Sequence, residues 1–227
     1  MIYKNVTDLI GNTPMLEISP EVHGLKNVNV YAKLEMMNPF GSVKDRTAFG
    51  LIRDHLDDIK NNGATVIESS SGNTAKALGV LCSVNNIPLE IYTNRIKVPE
   101  SRDILRTIGI DVHQLPGRSE CPDPDDPDDP IRVIERKIAQ KDSNYFHTSQ
   151  YTNIENPKIH DENTGQEISD DLGKVDYFFG TLGTTGSSRG IINNLIRKNN
   201  QLKRIGIIAK KGHAIPGIRN RDEMFEV

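Results

Sequence analysis

Apolar positions along this chain come in short runs, and their spacing switches between the period of a strand and that of a helix. Val28-Asn29-Val30-Tyr31-Ala32-Lys33-Leu34 sets β-branched and aromatic residues among polar ones and predicts a strand. Ala48, Ile52, Leu56 and Ile59 then fall at spacings of four, four and three, the face of one helix. Asn61-Asn62-Gly63 supplies its C-terminal stop. The alternation continues with strand Thr65 to Glu68, helix Thr74 to Val84, strand Leu89 to Tyr92, helix Glu100 to Ile108 and strand Asp111 to Leu115. Further on come helix Ile131 to Ala139, strand Tyr145 to His147 and a helix near Glu167 to Leu172. Strand Tyr177 to Phe179, helix Arg189 to Lys198 and strand Arg204 to Ala209 close the series. Strands and helices in regular alternation predict an α/β fold, a mostly parallel sheet with helices on both faces.

Composition sharpens this picture. At 227 residues the chain can bury one large core or two small ones. Apolar residues make up 36% and charged ones 26%, polar for a globular protein but outside the range of disorder. The formal charge of −3 is one loop's property. Glu120, Asp123, Asp125, Asp126, Asp128 and Asp129 lie together with no base among them, and without them the balance turns positive. Net charge therefore predicts neither a nucleic-acid partner nor a membrane surface.

The segment Pro122 to Pro130, with four prolines and five aspartates, reads as a solvated loop. It lacks the glycine and closing glutamate of an EF-hand, and Asp128 or Asp129 is placed to cap the next helix. No apolar run approaches the roughly eighteen residues of a membrane span. Met1-Ile2-Tyr3-Lys4-Asn5 has no signal-peptide core, so the expected compartment is the cytoplasm. Cys82 and Cys121 stand far apart without a CxxC partner and read as two reduced thiols. None of the histidines has HExxH spacing, and no metal site is expected.

Three loops carry candidate chemistry. The first is Asn38-Pro39-Phe40-Gly41-Ser42-Val43-Lys44-Asp45-Arg46. A lysine at the positive end of a helix is shifted toward its neutral amine, the form that Schiff-base chemistry needs. Taken alone, Lys44 reads as a solvated surface lysine. The second loop, Ser69-Ser70-Ser71-Gly72-Asn73-Thr74, joins a strand to a helix. Its hydroxyls and backbone N–H groups suit a carboxylate or phosphate, and they equally suit an ordinary N-cap turn. The third, Gly180-Thr181-Leu182-Gly183-Thr184-Thr185-Gly186-Ser187-Ser188, also joins strand to helix and lets the backbone approach an anion. It lacks the Gly-Lys-Ser/Thr ending of a Walker A loop.

Together these blocks resemble the cysteine synthase family of pyridoxal-phosphate enzymes, whose fold includes tryptophan synthase β chains and threonine dehydratases. The resemblance starts at Leu9-Ile10-Gly11-Asn12-Thr13-Pro14-Met15 and runs to the end of the chain. It is carried by Lys33-Leu34-Glu35, the Asn38–Arg46 block, Ser71-Gly72-Asn73-Thr74 and Thr164-Gly165-Gln166-Glu167-Ile168, in the family's order. The resemblance implies two three-layer α/β domains with the cofactor cleft between them. Residues 36–147 would form the smaller, substrate-side domain, and 1–35 with 148–227 the cofactor-phosphate side.

By the same match Lys44 would hold pyridoxal 5'-phosphate and move the substrate's α-proton. Gly183, Thr184, Thr185, Gly186 and Ser187 would cup the cofactor phosphate, and Asn73 would hydrogen-bond the ring's phenolic oxygen. Ser70, Ser71, Thr74 and Gln150 would hold the substrate carboxylate, with Ser70 standing where the family usually has threonine. The reaction implied is β-replacement on an O-activated serine to give cysteine, with a small amino acid and a sulfur donor as partners and a homodimer as the assembly. Gly217-Ile218-Arg219-Asn220-Arg221-Asp222-Glu223 is similar to a segment of the O-phosphoserine-using branch, where the arginine matching Arg219 binds substrate phosphate. Arg219 otherwise reads as one of several surface bases near Arg204, Lys210 and Lys211. Family members continue past the point matching Val227 into a block whose serine or threonine faces the pyridine nitrogen, so the second domain is expected to be incomplete, with a sticky sheet edge. A diaminopropionate-type synthase and an inactive fragment that binds a partner's C-terminal tail are the alternatives.

Overall fold

A computed structural model describes residues 2–94, 96, 99–116, 126–213 and 215–220. Most of the acidic loop, Cys121 and the stretch 221–223 lie outside the described residues. The chain opens with a 3-10 turn, Val6–Leu9, closed by reciprocal capping between Asn5 and Asp8. Strand β1 (Met15–Ile18), the short helix α1 (Pro20–His23) and strand β2 (Val30–Lys33) follow, and β1 pairs with β2 antiparallel. The alternation of apolar runs marks β2 but not β1, and this pair departs from the parallel rule.

Helix α2 (Lys44–Ile52) begins at Lys44. Where the spacing predicts one helix through Ile59, the structure has two. A 3-10 turn at Arg53–His55 separates α2 from α3 (Leu56–Asn62), which ends on the left-handed Gly63. The tighter turn resets the helical phase, and it sets the His55 ring 5.0 Å from that of Phe146.

The alternating series then builds one parallel sheet. Its strands are β3 (Thr65–Ser69), β4 (Leu89–Thr93), β5 (Asp111–Gln114) and β6 (Tyr145–His147), in the order β5-β4-β3-β6. Between them run α4 (Asn73–Val84), α5 (Pro99–Thr107) and α6 (Pro130–Ile138). Asp129 caps α6 through Ile131 N–H, as its place before Pro130 predicts. The main core lies on the α2–α4 side, where Ala48, Leu51, Val66, Leu78, Leu81 and Ile91 are fully or almost fully buried. Ile67, Tyr92 and Ile134 pack the opposite face under α6. Cys82 sits in the main core, and burial pushes its thiol up to about 12, which leaves it inert.

The remaining chain holds α7 (Glu155–Ile159), a π-helical turn (His160–Gly165) and α8 (Gln166–Leu172) in one continuous helical stretch. Strand β7 (Tyr177–Thr181), helix α9 (Gly186–Lys198) and strand β8 (Lys203–Ile207) come last, with β7 and β8 parallel. Leu195, Leu202, Ile168 and Ile191 form a small second core beside them. Tyr177, Phe179, Ile205 and Ile207 on these two strands remain exposed. Among the described residues no helix is long and apolar enough to cross a membrane.

A buried ionic cluster fastens α2 to the rest. Arg46, 1% exposed, donates to Glu35 through Nε and Nη2 at 2.8 Å and to Glu167 at 2.5 and 2.8 Å. Lys33 adds a 2.8 Å ion pair to Glu167, and Asn12 N–H donates to the same carboxylate. Burial alone would lift the Glu167 carboxyl, but hydrogen bonds from Arg46 and Lys33 hold it at about 2. Its stabilisation is complete above the ordinary value of 4.5 and is lost as pH falls from there through about 2. Glu167→Gln is expected to flatten the acid limb of the stability curve in that window. Arg46→Ala strands two carboxylates and is expected to cost about 3–5 kcal/mol, read from denaturant unfolding.

Candidate active site

Two strand-to-helix loops open at the C-terminal ends of parallel strands, where open α/β sheets gather ligands. The first leaves β3 at Ser69 and enters α4 at Asn73. Ser70 Oγ accepts from Gly72 N–H at 3.4 Å and Ala75 N–H at 3.2 Å, so it caps α4 and keeps its own hydrogen to donate. Ser71 is half-buried and Asn73 exposed at the helix mouth, where first-turn N–H groups have no intrahelical acceptor. Thr74 Oγ1 donates to Gln150 Oε1 at 2.8 Å, and Gln150 Nε2 donates to the Ser69 carbonyl at 2.9 Å. The four predicted carboxylate ligands, Ser70, Ser71, Thr74 and Gln150, thus meet in one place, two of them bonded to each other.

The second loop leaves β7 at Thr181 and enters α9 at Gly186. A Cβ on Gly183 would stand 2.6 Å from the Gly217 carbonyl oxygen, and one on Gly186 would fall on the Asn156 amide. Both positions are glycine because other groups fill the space. Thr185 and Ser149, the latter just before Gln150, hold left-handed backbone at φ 66° and 52°, costly for residues with a Cβ and typical of constrained sites. Thr184 Oγ1 accepts from Asn156 Nδ2 at 3.3 Å, and Ser187 lies in the first turn of α9. The 13-residue α9 points its positive end at this loop.

Lys44 stands at the head of α2, where Ser42 Oγ accepts from its N–H and Asp45 ties back to Phe40 N–H at 2.6 Å. Burial lifts the Asp45 carboxyl and pulls the Lys44 amine down toward its neutral form. Among the described residues no hydrogen bond from Lys44 Nζ is found. One turn on, Thr47 Oγ1 donates to Asn156 Oδ1 at 3.2 Å and contacts His160 Nε2 at 3.0 Å. Asn156 in turn donates to the Gln150 carbonyl at 2.8 Å. The lysine's helix and both loops are therefore joined through a single buried amide. Arg219 comes to the same region: its N–H donates to the Leu182 carbonyl at 2.8 Å, and its guanidinium lies 5.7 Å from the centre of the Tyr151 ring.

Glu68 is a site residue that sequence reasoning missed. Fully buried in β3, it accepts from Ser69 N–H, Thr148 Oγ1 and Gln150 N–H at 2.7, 2.5 and 3.0 Å. A lone acid at the end of an apolar strand was the available signal. Asn156, Thr47 and His160 gave none, because the contacts that join Thr47 to the other two span more than a hundred residues.

The arrangement fits pyridoxal phosphate on its own terms. It offers a desolvated amine, a glycine-rich cup at a helix N-terminus and a hydroxyl-lined mouth at another. Residues 6–226 match the family model described as pyridoxal-phosphate dependent enzyme. The chain belongs to this family. It is 29% identical to cysteine synthase B of Campylobacter jejuni, over all of this chain and 78% of that one. With cysteine synthase 1 of Neurospora crassa it shares 33% identity over 83% of its length, spanning about half of that relative (49%). The solved cysteine synthase of Entamoeba histolytica superposes with a TM-score of 0.81 at 28% identity, covering 96% of this chain and 67% of that one.

The buried acid gives a testable signature. Burial raises the Glu68 carboxyl to about 7 despite its three donors, against an ordinary 4.5. The folded protein holds that proton between those values while the unfolded chain releases it, so stability falls as pH rises across the window. Unfolding midpoints of the parent relative to Glu68→Gln are expected to drop between pH 4.5 and 7 and to level off above. A difference that stays constant would assign Glu68 an ordinary pKa.

Proposed function

We propose that this protein carries out pyridoxal-phosphate-dependent β-replacement, converting an O-activated serine and a sulfur donor to cysteine. The observation that carries the reading is the desolvated Lys44 amine on a helix tied to both loops, one suited to a carboxylate and the other to a phosphate. The similarity to cysteine synthases supports the reaction class. The cofactor cleft then lies between residues 36–147 and a unit of 1–35 with 148–227, with a homodimer in the cytoplasm as the expected setting.

When bound, the cofactor supplies the electron sink that makes the substrate's α-proton removable. Lys44 Nζ would hold it and then carry the α-proton, a task helped by the burial that pulls its amine toward the neutral form. Gly183, Thr184, Thr185, Gly186 and Ser187 cup its phosphate, and Asn73 orients the ring through the phenolic oxygen. Ser70, Ser71, Thr74 and Gln150 orient the amino acid through its carboxylate. Overall, O-phosphoserine and hydrosulfide become cysteine and phosphate. Arg219 receives the leaving phosphate, since a guanidinium can meet it with two parallel hydrogen bonds.

Lys44→Ala is expected to lose the borohydride-reducible link to the cofactor while keeping the fold. Peptide mapping after reduction checks it, and label on another lysine would reject the assignment. A parent protein that takes up no cofactor would favour the binding-subunit alternative. Arg219→Ala is expected to weaken use of O-phosphoserine about ten- to hundredfold, the worth of one charge-assisted contact, and to spare O-acetylserine. Steady-state rates with the two substrates check this. An equal loss for both would make Arg219 structural.

A further inference from the structure

The hydrogen bonds around Asn156 have a definite direction. The Gln150 carbonyl can only accept, so the atom facing it at 2.8 Å must be Nδ2 of Asn156. That orientation leaves Oδ1 facing Thr47, whose hydroxyl hydrogen is thereby committed to it. The Thr47 oxygen must then accept from His160 Nε2–H, and His160 Nδ1 accepts from Thr164 Oγ1 at 3.0 Å. Burial, with Lys44 and Arg46 nearby, holds His160 down at about 3, so the ring is neutral and one tautomer satisfies every contact. The chain runs one way, from Thr164 through His160 and Thr47 to Asn156.

Its far end lies in the glycine-rich loop. The second Nδ2 hydrogen of Asn156 points to Thr184 Oγ1 at 3.3 Å, so that hydroxyl accepts from behind and its own hydrogen is directed elsewhere. Asn156 is 1% exposed and occupies the space a Gly186 side chain would need. We propose that Asn156 is a positioning residue that turns the Thr184 hydroxyl hydrogen toward the loop's anion, selecting a ligand that carries a phosphate monoester. This inference rests on the reading of that loop as the cofactor-phosphate site.

A double-mutant cycle on binding tests it, with pyridoxal 5'-phosphate and pyridoxal as the two probes in equilibrium dialysis. In the parent the phosphorylated compound is expected to bind more tightly. Asn156→Ala and Thr184→Val should each cut that preference about tenfold, and the double variant should lose no more than either alone. Circular dichroism checks folding. If the alanine variant unfolds, Asn156→Leu takes its place in the cycle, because a neutral side chain of similar volume cannot donate to Thr184 and adds no charge beside the anion. Equal loss of both probes, or additive losses in the double variant, would overturn the role of Asn156. A parent that binds the two probes equally would instead overturn the phosphate assignment of the loop.

Discussion

The ion cluster around Arg46 is the constraint on which the rest depends. It lies two residues past Lys44, so whatever fixes Arg46 fixes the start of α2 and the lysine with it. Glu35 comes from the segment after β2 and Glu167 from α8, and neither belongs to the sheet that α2 covers. A buried guanidinium without these carboxylates would carry an uncompensated charge in the core. Geometry near the site is thus set by electrostatics, and the apolar core mainly supports it.

Two cations on one helix turn are treated in opposite ways. Arg46 gathers two carboxylates, and although burial alone would lower its pKa, their hydrogen bonds raise it further. Lys44 has only desolvation acting on it, which favours the uncharged amine. His160, the first residue of the π turn, stays neutral through burial first and then the nearby cations. The anchoring residue is thereby held charged, while the reactive one is pulled toward its neutral form.

The parallel sheet was legible because its strands and helices carry two clean periods, and the three loops were legible because small and hydroxyl residues interrupt them at strand ends. Other features leave no such trace. The break at Arg53–His55 has no glycine or proline to mark it. Met15–Ile18 is a four-residue strand directly after Pro14, too short for alternation to register. The stretch from Glu155 through the π turn is polar or proline-bearing, so it hides a continuous helix. Asn156 reads there as one more loop residue, and its role exists only because Thr47 and Thr184 fold onto it from 109 and 28 positions away.

The pairing of Arg46 with Glu167 spans 121 residues, and that of Asn12 with the same carboxylate spans 155. Such contacts reward the chain only after the entropy of closing a very long loop has been met. In the four-stranded sheet β3, β4 and β5 pair in chain order and close shorter loops, while β6 returns across a long one to β3. On a ribosome, α2 would therefore emerge and pack long before Glu167 is available to neutralise Arg46. Until then the nascent chain holds a guanidinium with half its anchors, and the lysine beside it belongs to a pocket that does not yet exist.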